Sequence, residues 1–170
     1  TDTGKTESNI ALAIHTAAVK VSILISQTGA LLRGAGVLTN EAAAIDLTYE
    51  ALAASLASNV SNTDLIDLTA DNTIAQIIQE TTELSGANNS VLFKIGALAA
   101  DASQAIANLN KAVVNASTSS SDKSKILSRI AAVQIVSEHI ESTMKSGAST
   151  GNVESTVSST TGSTLNNAIT

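Results

Sequence analysis

The run VLFKIGALAADASQAIANLNKAV, residues 91–113, decides the fold. Val91, Leu92, Ile95, Leu98, Ala99, Ala102, Ile106, Leu109 and Val113 recur at three- and four-residue intervals. That spacing places them on one stripe of an α-helix for about six to seven turns. Alternation of period two persists nowhere in the chain, and β-branched residues stand at helical intervals, so strands are not expected.

Working outward, the same period recurs on both sides. Toward the N-terminus, Ile10, Ala13, Ile14, Ala17, Val21, Leu24, Ile25, Thr28 and Leu31 form the stripe of a long first helix. Thr6 or Ser8 would cap it, and Gly34 or Gly36 would stop it just after Arg33, whose charge suits a helix C-terminus. A second helix starts at Thr39 or Asn40, carries Glu41 in its first turn, places Ile45, Tyr49, Leu52 and Leu56 on one face, and ends near Ser58. After a polar connection from Asn59 to Leu68, Thr69 opens a third helix with Ile74, Ile77, Ile78, Thr81 and Leu84 inward, closed by Gly86.

Toward the C-terminus, the tract Ser117 to Ser121 reads as a turn, and Ser121 or Asp122 caps a fifth helix. Its inward residues are Ile126, Leu127, Ile130, Val133, Ile140 and Met144, with Glu141 and Lys145 paired at i, i+4. Beyond Gly147 the composition shifts to Ser, Thr, Gly and Asn, leaving Val153, Val157, Leu165 and Ile169 as the sizeable apolar residues. The expectation is an all-α, antiparallel bundle of about five helices over residues 1–146. Residues 147–170 form a Ser/Thr-rich tail, either short helices packed on the bundle or a frayed end.

Composition narrows the chemistry. The 170 residues contain no Cys and no Pro, and Tyr49 and Phe93 are the only aromatics. Thiolate, disulfide and Cys-zinc sites are therefore excluded, and no aromatic platform exists for bases or sugars. The core must be built from Ala, Ile, Leu and Val, at 44% hydrophobic content, through many thin contacts rather than a few large anchors. A net charge of -6 disfavours phosphate backbones and anionic lipid, so no nucleic-acid partner is expected. The most apolar run, Ala17 to Ile25, is broken by Lys20 and is shorter than the roughly 20 residues of a membrane span. Thr1 follows no charged and apolar leader, as expected of a processed product or of a piece of a longer chain, and Ser and Thr make up a quarter of the residues. A secreted or cell-surface location follows as the expectation.

Candidate sites are few. Asp64, Asp67 and Asp71 lie with Asn62 and Asn72 in one polar connection and form a candidate calcium set. The EF-hand pattern needs a central Gly and a distal bidentate Glu, and both are missing, so these carboxylates also read as turn and capping groups. His15 and His139 sit on different helices, and two ligands are too few for a catalytic zinc. Around His139, the i+4 position of a metalloprotease helix is Thr143. No G-x-S-x-G elbow occurs, and Gly34, Ala35 and Gly36 follow a helix rather than a strand, so neither a serine nucleophile nor a phosphate loop is indicated. The N-x-S triplets at Asn59, Asn88 and Asn115 fall in expected connections, and Lys123, Lys125 and Arg129 form a positive patch that reads as a solvated face. No cofactor and no enzymatic activity are expected.

Three segments carry a resemblance: AIHTAAVKVSILISQTGALLRGAG (residues 13–36), DLTADNTIAQIIQETTELSGAN (67–88) and IAAVQIVSEHIESTM (130–144) followed by a Ser/Thr/Gly tail. In this order they resemble Ala-rich helical modules of large secreted bacterial surface proteins. Those modules stand among cadherin-like, hemolysin-type calcium-binding or carboxypeptidase-regulatory-like β-domains. The resemblance implies a non-catalytic, adhesin-like spacer or presentation module whose partners are other domains of the same protein or neighbouring copies, and it carries no catalytic residues. The alternative from the residues alone is a subunit of an extracellular filament or surface polymer that assembles through its helix faces.

The stripes make a direct prediction. Replacing Leu24, Leu52, Ile77, Ile95, Ile106 or Ile130 with Ala should cost about 2–5 kcal/mol each in denaturant unfolding, while changes at Ser119 and Ser158 should be near neutral. Near-neutral effects at all six sites would mean the inward faces are misread.

Overall fold

In a computed structural model that describes residues 3–59 and 66–169, side-chain caps fix where most of the long helices begin. Asn40 Oδ1 accepts from the Ala42 amide at 2.9 Å and opens α2 (Glu41–Asn59). Asn88 Oδ1 accepts from Val91 N at 3.1 Å at the head of α4 (Asn89–Thr118). Asp122 Oδ1 accepts from Ser124 N at 3.0 Å before α5 (Lys123–Thr150). Each bond satisfies an amide that has no partner inside the helix. The third helix differs from expectation. Thr69 is held by Asp67, whose Oδ1 accepts from the Thr69 amide at 2.8 Å and its hydroxyl at 2.6 Å, so α3 (Asp71–Leu84) starts two residues later behind Ala70.

With α1 (Thr3–Gly34), α6 (Glu154–Thr160) and α7 (Gly162–Ile169), the described residues form seven helices and no strand. Consecutive long helices run antiparallel. The Lys94 amine donates to Ala35 O at 3.3 Å, setting the head of α4 beside the end of α1. α1 and α5 are, by contrast, parallel neighbours. Gln27 Nε2 donates to the backbone and side-chain oxygens of Ser137 at 2.8 and 3.0 Å, Gly34 lies on the Lys145 carbonyl, and Lys123 bonds Ser8 near their shared lower end.

The expected inward residues Leu24, Leu52, Ile77, Ile95, Ile106 and Ile130 are all buried. Four helices differ in part from the expectation. The lower half of α1 is uncovered on one side, with Ile10 and Ile14 55% and 65% exposed while Leu12 and Val19 pack on the core, and its continuous burial begins only near Ile23. On α2 the packed face is Ala44, Thr48, Ala51 and Leu52, with Ala44 against Gly29 of α1, whereas Tyr49 and Leu56 are about half exposed. Leu84 and Leu127 are also exposed. By length and composition Glu7–Gly34 is apolar enough to cross a membrane, a longer segment than the Ala17–Ile25 run. Core helices and signal sequences share this composition; here Leu24, Leu31 and Leu32 are fully enclosed, while only 22% of the most apolar stretch is buried.

The C-terminal region is packed rather than frayed. α5 continues through Gly147, and α6 and α7 bury Val153, Thr156, Thr160 and Leu165 against the bundle. α4 likewise continues past Ser117 to Thr118, so the turn before α5 is shorter than the Ser/Thr tract suggested.

Gly36, at φ 76°, is the left-handed residue that ends α1; Gly34 is helical and serves another purpose. A Cβ on Gly34 would sit 2.1 Å from the Lys145 carbonyl oxygen. Gly34→Ala should therefore destabilise the bundle by about 1–3 kcal/mol through overpacking. Gly96→Ala, exposed on α4 with open space around it, should stabilise by up to about 1 kcal/mol through helix propensity. A Gly34→Ala melt at or above that of the parent would contradict the close approach of α1 to α5.

Candidate binding groove

A cleft of about 450 Å³ runs along the outer side of α1 between α2 and α5. Its floor follows from helical spacing: Ala18, Ser22 and Ser26 lie four residues apart, and Gly29 and Arg33 continue the line. These small side chains leave the depression, while Val21 and Ile25 from α1 and Ile45 and Tyr49 from α2 give it an apolar wall.

Arg33 closes the upper end. Its side chain is 14% exposed, and three of its nitrogens are engaged. Nε donates to Gly29 O at 3.3 Å, Nη1 to Glu41 Oε2 at 2.9 Å, and Nη2 to Glu141 Oε1 at 2.9 Å. One guanidinium thus joins the end of α1 to the head of α2 and the middle of α5. The two carboxylates differ in solvation, since the Glu41 side chain is 63% exposed and the Glu141 side chain 30%. Glu141 turns to Arg33, and no ion pair with Lys145 forms. The sequence presents Arg33 only as a helix-terminal charge and Glu141 only as a same-helix partner. That Arg33 is one of just two arginines is the sole hint of a dedicated role.

Other clefts lack such convergence. One between α3 and α4 holds about 510 Å³ among Ala75, Gln79, Ile95 and Gly96, and one between α5 and α6 is walled by Thr143, Thr150, Asn152 and Ser158.

The acidic connection is only partly described. Asp64 lies outside the described residues. Asp67 caps a turn through Thr69, whose hydroxyl and amide bonds hold its carboxyl below the usual carboxylate range. Asp71 stands in the first turn of α3 and meets the Lys111 amine at 3.4 Å. Among the described residues no three His, Asp or Glu side chains converge on a metal-sized space. His15 and His139 are both exposed, on α1 and α5. Asn88 is the cap of α4. Asn115 stands within α4, so its triplet falls on a helix rather than in a connection; Asn59 ends α2, and the two residues that follow it lie outside the described residues. Lys125 and Arg129 are exposed, while Lys123 reaches Ser8.

Comparison with protein-family models, curated proteins and solved structures finds no match.

The acidic connection can be tested directly. Melting temperatures in millimolar calcium and in chelator should coincide. A ligand that binds only the native state at one hundred times its dissociation constant adds about 2.7 kcal/mol, several degrees for this size. A rise of that order that vanishes in Asp67→Asn and Asp71→Asn would make the connection a calcium site.

Proposed function

We propose that this chain is a non-catalytic structural or presentation module of a secreted, adhesin-like bacterial surface protein. The reading rests on where the polar groups point. Thr48, Thr81 and Thr82 are buried, and each hydroxyl donates to the carbonyl four residues back at 2.7 Å. Ser103 and Ser117 turn back three residues to Ala100 and Val114, and Thr160 to Thr156 and Val157. Hydroxyls used this way satisfy themselves on their own helix and add packing without presenting reactive groups. The Arg33 pair of bonds is likewise a tie between helices. The resemblance to Ala-rich modules of large surface proteins supports the same reading.

One observation favours the alternative of a subunit in a filament or surface polymer. Between Ser8 and Val19 the chain has no Asp, Glu, Lys or Arg, and Ile10, Ala11, Ala13, Ile14, Ala17 and Ala18 are exposed there. An apolar helix face of that kind is suited to association with copies of itself.

Assembly state separates the two. A module should scatter light as a monomer up to high concentration and across salt. A polymer subunit should grow in mass with concentration, and Ile14→Lys should abolish that growth. Growth of this kind would displace the spacer reading.

A further inference from the structure

We propose that the groove along α1 is a binding site for a small amphipathic cation, a primary ammonium carried on a short apolar body. The charge at its closed end sets the choice of head group. Two carboxylates, Glu41 and Glu141, face one guanidinium, leaving an excess of one negative charge. Each gives a single oxygen to Arg33. Glu41 Oε1 and Glu141 Oε2 have no hydrogen-bond partner among the described residues. An ammonium brings three donors and no acceptor, which matches acceptors left open beside a compensated cation. A carboxylate head would meet the same acid pair while competing for an arginine already engaged. Lys145, one turn beyond Glu141, does not line the groove and is exposed to solvent. The chain's net charge of -6 further favours the approach of cations.

The apolar part fits the rest of the cleft. A volume of about 450 Å³ lies within the usual range for small-molecule sites, and a few convergent polar groups at one end of an apolar wall are typical of them. Ile25, Ile45 and Tyr49 would cover a short alkyl chain, and the Tyr49 ring offers a face to the cation as it enters. Ala18 and Ser22 leave the floor open.

The chain supplies its own probe, because Tyr49 is the only tyrosine and there is no Trp, so tyrosine emission reports on this groove alone. We would titrate the chain with n-hexylammonium, hexanol and hexanoate. A saturable change with hexylammonium is expected, with hexanol about tenfold weaker or worse and hexanoate without effect. Glu141→Gln should weaken hexylammonium about tenfold by removing the charge-assisted bond. Ser22→Leu, at an exposed position on α1, should block the groove and abolish the response while leaving the thermal melt unchanged. No saturable response, equal affinity for hexanol, or preference for hexanoate would overturn the proposal. So would a Ser22→Leu variant that binds as the parent does.

Discussion

The contact on which the rest of this bundle depends is the one between the backbones of α1 and α5. Gly34 lies against the Lys145 carbonyl with no room for a Cβ, and a turn or two below, Gln27 reaches across to Ser137. Such proximity is possible only where side chains are small, and Ala148 is the neighbour on α5 that permits it. The absence of large aromatic anchors is thus compatible with a tight core. Cohesion comes from many close dispersion contacts and from stiff Ile and Val side chains that lose little freedom on folding. The same contact shapes the exterior: with α5 on one side of α1 and α2 on the other, the strip of α1 between them is left as the groove floor.

Polar groups are distributed to suit this packing. Thr48, Thr81 and Thr82 occupy nearly the volume of valine and answer their own hydroxyls within one turn, so they enter the core without a cross-helix partner, whereas the buried Thr28 hydroxyl has no partner among the described residues. Gln27 and Asn110 work differently, each reaching a carbonyl far away in sequence, Ser137 and Leu68 respectively. Their amide oxygens have no protein partner, a cost that one-sided amides carry in exchange for fixing register. Arg33 does at the rim what Gln27 does inside, tying three helices through two carboxylates.

Much of the framework is legible in the sequence because helix periodicity survives even in an Ala-rich chain. The α4 stripe from Ile95 to Val113 is buried as its spacing implies, and Asp122 caps the helix expected of it. The α2 face is misread because residue size usually marks the inside. Here Tyr49 is outside and Ala44 and Ala51 are inside, and Ala44 stands against Gly29 of α1, a neighbour that patterning within α2 does not show. The exposed side of the lower part of α1 has a different origin: α4 and α5 reach this level, at Val114 and Lys123, and cover the side that carries Leu12 and Val19, leaving Ile10 and Ile14 outside. Least legible is the groove's closed end. Arg33 lies 8 residues from Glu41 and 108 from Glu141, and local patterning assigns each of the three a role within its own helix.

The parallel pairing of α1 with α5 also orders events in time. Gln27 and Ser137 are separated by 110 residues, so the surface that α1 turns toward α5 has no final partner until α5 has been made. A nascent chain would present that stripe, with Ile23 and Ala30 on it, through the synthesis of three intervening helices. Local helix formation is fast, but closure of so long a loop is deferred. Holding the stripe against premature association therefore falls to whatever meets the chain before its last long helix arrives, and completion of α5 acts as the commitment point for the domain.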